Sequence, residues 1–484
     1  MPLSRYIHIF TEPPKRESDW YNLQKDIEDA LKKNVQRVQR SIGTSQGSRA
    51  GLYVGDAGVA FMEITLATLQ QKNASPSPTL LEAGTEEDPL SPSLLISLAD
   101  RHLTSASHDS TFSLRNIRDG ARVSFLETAL GLACLVLSRY PFGRQQSFAN
   151  LHWKRCRDYL LKAVETVERD DVEFVEDDDG CEVLYGRAGY ALGQDLESCT
   201  SLISDATIQI VVHSIIRRGR NGAKTYRFDF GGGKSPLLMW TWHSKRYLGG
   251  AHGVAGILHM LLRCPFPIIA RFMPEIVQTI DWLVTCQDRT GNWPTRAPDL
   301  NQTTLKDSRW CHGAPAMLIL LSTILRMSVT PAVITGLTEK QQDRFVVSLQ
   351  RGCALVYMQG LLRKGVGLCH GVAGSVYALL AASNVLDDPC NVNTSQSSET
   401  NPTGTNSERH APYFTQAAHL AHLATYSSSL TRKGDMKTPD HPWSLYEGMA
   451  GMCCAWGEVL FRMKDKERTS CLLCSGMPGY DDIM

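Results

Sequence analysis

The chain has 484 residues, and its 50 Lys+Arg are balanced by 50 Asp+Glu, so it lacks the strong basic field that non-specific nucleic-acid binding needs. Nucleic acid is excluded as an expected partner. Length alone allows several ordinary domains or one large domain built of repeats.

The opening "MPLSRYIHIFTEPPKRE" has no apolar core of the kind a signal peptide needs, and no stretch approaches the roughly 18 uninterrupted apolar residues of a membrane span. The expectation is a cytoplasmic chain without a transmembrane span. The 14 cysteines form no short-spaced framework, and Cys134, Cys286, Cys353, Cys453 and Cys454 sit inside apolar runs. They read as buried thiols in a reducing compartment. Asn-X-Ser/Thr triplets at Asn73, Asn301 and Asn393 are then chance matches.

In chain order, spacing of apolar residues at i, i+3 and i+4 predicts amphipathic helices over 26–42, 93–104, 153–168, 201–217, 274–287, 343–358 and 417–426. Each is followed by a Gly-x-x-Gly unit opening a more apolar run: "GLYVGDAGVAFM", "SFLETALGLACLVL", "EVLYGRAGYALG", "YLGGAHGVAGILHMLL", "WCHGAPAML", "LCHGVAGSVYALL" and "SLYEGMAGMCCAW". The first glycine positions are Gly55, Thr128, Gly186, Gly253, Gly313, Gly371 and Gly448, at intervals of 58 to 77 residues. The second copy keeps only Gly131, and the fifth has Ala316 in place of its second glycine.

An inner helix that is apolar nearly all round cannot be covered by its own repeat, so such units bury themselves by stacking and closing. The pattern predicts one all-α domain over 1–484, a double-layered α/α toroid (barrel) of seven helical hairpins, with its Gly-rich loops gathered at one mouth. Three stretches, 73–93, 218–236 and 388–410, are expected as surface-loop insertions, and the last is polar enough to be disordered.

Cys-His-Gly is written twice, at 311–313 and 369–371, at the same place in the repeat. Cys311, His312, Cys369, His370 and the His252 of "GGAHGVAG" therefore become candidates for one site at the mouth. Zinc prefers thiolate and imidazole, and fewer than four protein ligands leave a position for water or substrate. A closed Cys₂His₂ set, or cysteines that only pack, are the competing readings.

The stretches "YGRAGY", "YLGGAHGVAGI", "GNWP", "WCHGAP", "GLLRKGVGLCHGVAGSVYALL" and "KTPDHPWSLYEGMAG", in that order, resemble the LanC-like proteins of eukaryotes, in the lanthionine synthetase C-like family related to bacterial lanthionine cyclases. The resemblance implies zinc held by Cys311, Cys369 and His370, with His312 outside the ligand set. It implies His252 as the histidine that delivers a proton to carbon, oriented by Glu182, for which an exposed helix-end carboxylate is the competing reading. It also implies a glutathione site at Lys364, Lys437, Thr438, Pro439 and Asp440, two cations and a carboxylate suited to glutathione's two carboxylates and α-ammonium. Lys437 stands where relatives often have Arg, which keeps the charge and loses the bidentate fork.

The activity implied is zinc-dependent addition of the glutathione thiol to dehydroalanine or dehydrobutyrine residues in proteins or peptides, forming a thioether. The alternative is a glutathione-binding signalling or adaptor protein with a structural zinc, associated peripherally with membranes or with a kinase. Departures are the altered second repeat, the long insertions, and "KDSRWC", where Arg309 is out of register with bacterial cyclases; cyclisation of lantibiotics is not carried over.

Overall fold

The computed structural model describes residues 4–42, 50–73, 88–110, 112–117, 123–139, 149–169, 180–191, 203–231, 235–298, 308–330, 333–387, 411–464 and 476–482. Its principal helices are α1 (Glu17–Arg40), α2 (Asp56–Asn73), α3 (Pro92–Ser107), α4 (Leu130–Arg139), α5 (Ala149–Arg169), α6 (Arg187–Ala191), α7 (Asp205–Phe230), α8 (Val254–Arg263), α9 (Met273–Thr285), α10 (Ala314–Ser328), α11 (Glu339–Gln359), α12 (Val372–Leu386), α13 (Pro412–Ala424) and α14 (Met449–Lys464). Among the described residues there is no strand, only isolated bridges such as Tyr6 with Leu362. No described helix is long and apolar enough to cross a membrane.

Odd-numbered helices are the amphipathic ones. In α1 the buried stripe runs Leu23, Ile27, Leu31, Val35, Val38, one face of a helix, and the rest meets water. Its start is fixed by the Asp19 carboxylate, which accepts from Arg16 N at 3.0 Å, and α11 begins with a capping box between Thr338 and Gln341. Even-numbered helices are the more deeply buried: in α12 every residue from Val372 to Ser383 is buried. Each large apolar side chain there contributes about 1.5–3 kcal/mol. Every inner helix packs on the outer helix that follows it, and α14 packs back on α1 and α2.

The ring is closed by a belt of backbone hydrogen bonds joining each inter-helix loop to the next. It runs Tyr53 N to Leu126 O, Phe125 N to Gly189 O, Val183 N to Ala251 O, Gly250 N to Trp310 O, Cys311 N to Cys369 O, Cys369 N to Tyr446 O, and Tyr446 N to Tyr53 O, all 2.8–3.4 Å. The last link returns from the seventh loop to the first.

The recurring second glycine has a steric cause. A Cβ at Gly58, Gly131, Gly189, Gly256, Gly374 or Gly451 would lie 1.9–2.2 Å from the carbonyl oxygen six residues earlier, closer than any real Cβ stands. The loop doubles back onto the first turn of the inner helix, and only a bare Cα fits beneath it.

One expectation is corrected. Residues 218–230, read above as part of a loop, continue α7. Ala223 and Tyr226 extend its buried stripe, and Gly219 and Gly222 are contact surfaces: a Cβ would meet the Trp240 ring at 2.6 Å and Met239 O at 2.1 Å. Of the other expected insertions, residues 388–410 and 74–87 lie outside the described residues.

Candidate metal and thiol site

The residue just before the first glycine position of each repeat is Val54, Glu127, Tyr185, His252, His312, His370 and Glu447 in turn. All seven are partly exposed, while the residues on either side of each are buried, save Thr128 after Glu127. One register position thus supplies the rim of the mouth. The first N–H groups of the inner helices are taken up by their own loops, as in Val254 N to Tyr247 O, Val372 N to Gly365 O and Met449 N to Pro442 O.

Cys311 and Cys369, one position deeper, are buried at 7% and 2% exposure. Their sulfurs and a nitrogen of His370 all lie within 4.8 Å of one another, with Cys311 Sγ 3.9 Å from His370 Nδ1. His370 Nε2 faces Glu447 at 3.6 Å. Cys369, backed by His370 and His312, holds the Cys311 thiol well below the usual range, and burial together with Cys311 pushes Cys369 well above it. Burial opposes a charge on His370, yet hydrogen bonds to Cys311 and Glu447 raise it. Glu447 is lowered by its bond to His370. A buried thiolate character needs a cation, and two sulfurs with one imidazole are a donor set that fits zinc. The carboxylate behind the histidine is the usual outer partner of a metal-bound imidazole.

His312, identical in local sequence, lies outside this cluster. Burial lowers its pKa, its Nδ1 has no hydrogen-bond partner among the described residues, and its ring lies against Tyr247 at 5.4 Å.

His252 Nδ1 is 2.8 Å from Glu182 Oε2, while Glu182, only 3% exposed, accepts from Leu184 N at 2.8 Å and Tyr185 N at 2.5 Å. Those bonds fix the carboxylate, and the carboxylate fixes the imidazole, leaving Nε2 for the mouth. Trp242 stacks on the His252 ring at 3.7 Å and 2°. It is carried by a turn whose His243 and Ser244 both have positive φ, 48° and 58°.

Lys364, Lys437, Thr438 and Asp440 are exposed and Pro439 is half-buried. Lys437 N donates to Arg363 O at 2.7 Å, and Gly365 adopts φ +141°, with room for no Cβ beside the Pro439 ring 2.8 Å away. Lys364 is thereby held next to 437–440, and its charge acts on His370 and Glu447. The expected glutathione residues and the Cys/His cluster share one neighbourhood.

Three residues were missed by the sequence reading. Glu447 and Glu127 occupy the register position of His252, His312 and His370, and aligning all seven repeats on that position is the signal that finds them. Glu127 is pushed up to about 7 by burial, then by Glu447 and Glu182. Tyr53, whose hydroxyl hydrogen-bonds Cys369, is raised by burial and then by that thiol.

A family model described as lanthionine synthetase C-like protein matches residues 113–473. The chain is 26% identical to glutathione S-transferase LANCL1 of Danio rerio over 279 residues, 56% of each chain. It is 26% identical to LanC-like protein GCL1 of Arabidopsis thaliana over 304 residues, 62% of this chain and 57% of that one. The chain thus spans little more than half the length of these relatives.

Proposed function

Because this chain belongs to the lanthionine synthetase C-like family, we propose that it joins the thiol of glutathione to dehydroalanine or dehydrobutyrine residues of proteins or peptides, forming a thioether with the help of zinc. The observation that carries the reading is the convergence of Cys311, Cys369 and His370 beside the oriented His252–Glu182 pair. The name of the zebrafish relative supports glutathione as the thiol.

Cys311, Cys369 and His370 would hold the metal. When bound, zinc stabilises a thiolate near neutral pH, which supplies the nucleophile. Glu447 holds His370 by its outer nitrogen. Lys364 and Lys437 neutralise the glutathione carboxylates and Asp440 faces its ammonium. Sulfur bonds to the β-carbon of the dehydroamino acid, the carbon–carbon double bond opens, and His252 Nε2 delivers a proton to the α-carbon. Glu182, on the other ring nitrogen, holds the imidazole in orientation for that transfer. Trp242 covers one face of that ring and limits water at it.

The test is incubation of purified protein with glutathione and a dehydroalanine peptide, followed by mass. Adduct is expected from the zinc-loaded chain and lost in Cys369→Ala. Adduct formation that survives removal of zinc sinks the reading. Glutathione binding with no adduct, in a chain whose zinc has no exchangeable position, leaves the adaptor reading in its place.

A further inference from the structure

We propose that the segment Gly476–Asp482, beyond α14, is a positioning element for the metal ligands, acting through Trp310 and Tyr446. The inference rests on the metal reading above. Nothing in the repeat pattern requires this segment, yet Met477 and Tyr480 are fully buried and Asp481 is 7% exposed. Its contacts fall on well-separated repeats. Tyr480 packs edge-on against Trp310 at 4.9 Å and stacks on His259 of α8 at 4.5 Å. Arg263 of α8 donates to Asp482 O at 2.8 Å, and Arg326 of α10 approaches Asp481 at 3.7 Å. Tyr446 Oη donates to Pro478 O at 2.8 Å. Gly479 turns with φ +70° beside Leu126 of the second loop, where a Cβ would come within 2.8 Å of that side chain. A segment that touches the second, fourth, fifth and seventh repeats at once lies across the ring's interior.

The two aromatic residues it bears on are direct neighbours of the site. Trp310 precedes Cys311 and Tyr446 precedes Glu447. Both belong to the hydrogen-bonded belt: Trp310 O accepts from Gly250 N, and Tyr446 O accepts from Cys369 N. They touch each other at 5.4 Å, and Tyr446 also stacks on Tyr53 at 4.9 Å. Close packing makes such a group hold one arrangement and lose it when a wall is removed. The segment is that wall, and its anchor is polar. The Tyr480 carbonyl can only accept, so it fixes His259 Nε2, 3.1 Å away, as the protonated nitrogen. The spacing of Cys311, Cys369 and His370 is therefore set in part by residues at the far end of the chain.

The experiment compares zinc release to a chromophoric chelator from the full chain, from a chain ending at residue 475, and from Tyr446→Phe and Tyr480→Leu. Cobalt-substituted protein gives the sulfur-to-metal absorption as a second readout. The shortened chain is expected to keep its helical circular dichroism, release zinc about 10-fold faster or more, and recover slow release when the 476–484 peptide is added back. Tyr446→Phe should give a smaller increase with the same altered cobalt spectrum. A folded shortened chain that holds zinc as the full chain does overturns the proposal. If the shortened chain does not fold, unchanged release and unchanged cobalt spectra in both point variants overturn it. A full chain that never retains zinc overturns the metal reading itself, and this inference with it.

Discussion

The loops 309–313 and 367–371 both contain Cys-His-Gly before an inner helix, and the structure treats them differently. In the later copy His370 faces Cys311 through Nδ1 and Glu447 through Nε2. In the earlier copy His312 turns to Tyr247 and stays outside the cluster. The divergence begins in the backbone. Gly371 is extended, at φ −125° and ψ −172°, as is Gly253 after His252. Gly313 sits at φ +103° and ψ −157°, a conformation essentially restricted to glycine. Mutual hydrogen bonds between Arg309 and His312 tighten that loop further. Neighbours add to the difference: the repeat after His370 presents Glu447, whereas the one after His312 presents another imidazole. Identical tripeptides acquire different chemistry from the glycine's rotation and from the next repeat's side chain.

That contrast can be broken most severely by removing one histidine at a time. His370→Ala or Cys369→Ala should reduce bound zinc from about one per chain to under roughly a tenth, measured by atomic emission on dialysed protein. His312→Ala should leave zinc content unchanged, and its loss there would erase the asymmetry. Next in size, Glu447→Gln should weaken zinc affinity about 10–100-fold by competition titration, and a variant as tight as the parent would show the imidazole needs no carboxylate behind it.

A smaller effect separates the two glycines. Gly313→Ala should cost about 1–3 kcal/mol through its backbone angle alone, read as a lower unfolding midpoint in denaturant; no change would mean the loop can relax to the extended form of Gly371. Smallest is a difference in titration of the zinc-free chain, followed by NMR of the imidazole protons. His370 should titrate above the ordinary 6.5 and His312 below it. For His370, raised when folded, the contribution to stability is present below about 6.5 and fades as pH rises through its folded pKa. For His312, lowered when folded, stability falls as pH drops below about 6.5. Coincident titration of the two would remove the electrostatic side of the comparison.

Much of this was legible in the chain. Apolar periodicity located five of the seven outer helices to within about five residues at each end, because one buried face repeats every turn, whereas α1 begins nine residues earlier and α7 runs thirteen further than read; the Gly-x-x-Gly units marked the inner ones, because their second glycine meets a carbonyl in almost every repeat. Cys311, Cys369, His370 and His252 stand out in the chain by their place in the repeat and Glu182 by the resemblance alone; the first three come together in the structure, and His252 meets Glu182. What failed has equally specific causes. Gly219 and Gly222 look like loop residues in a string of letters and are contact points for Trp240 and Met239 in space. Glu447 and Glu127 are single carboxylates with no motif of their own, and only the equivalence of repeats exposes them. The contacts of 476–482 with Trp310, Tyr446 and the helices α8 and α10 are non-local, so no short window of sequence contains them.

The closing bond of the belt, Tyr446 N to Tyr53 O, carries a consequence for how the protein is made. An open array of repeats can fold from any point and grow outward. Here the first loop pairs early with the second, but Tyr53 O on its other side has no donor until the seventh has been synthesised, and Cys369 N has no acceptor until Tyr446 arrives. Loop closure over nearly the whole chain precedes completion of the circle, a topology that slows folding. During translation the nascent chain therefore carries Cys311, Cys369 and His370 before the backbone belt that fixes Cys369 can close.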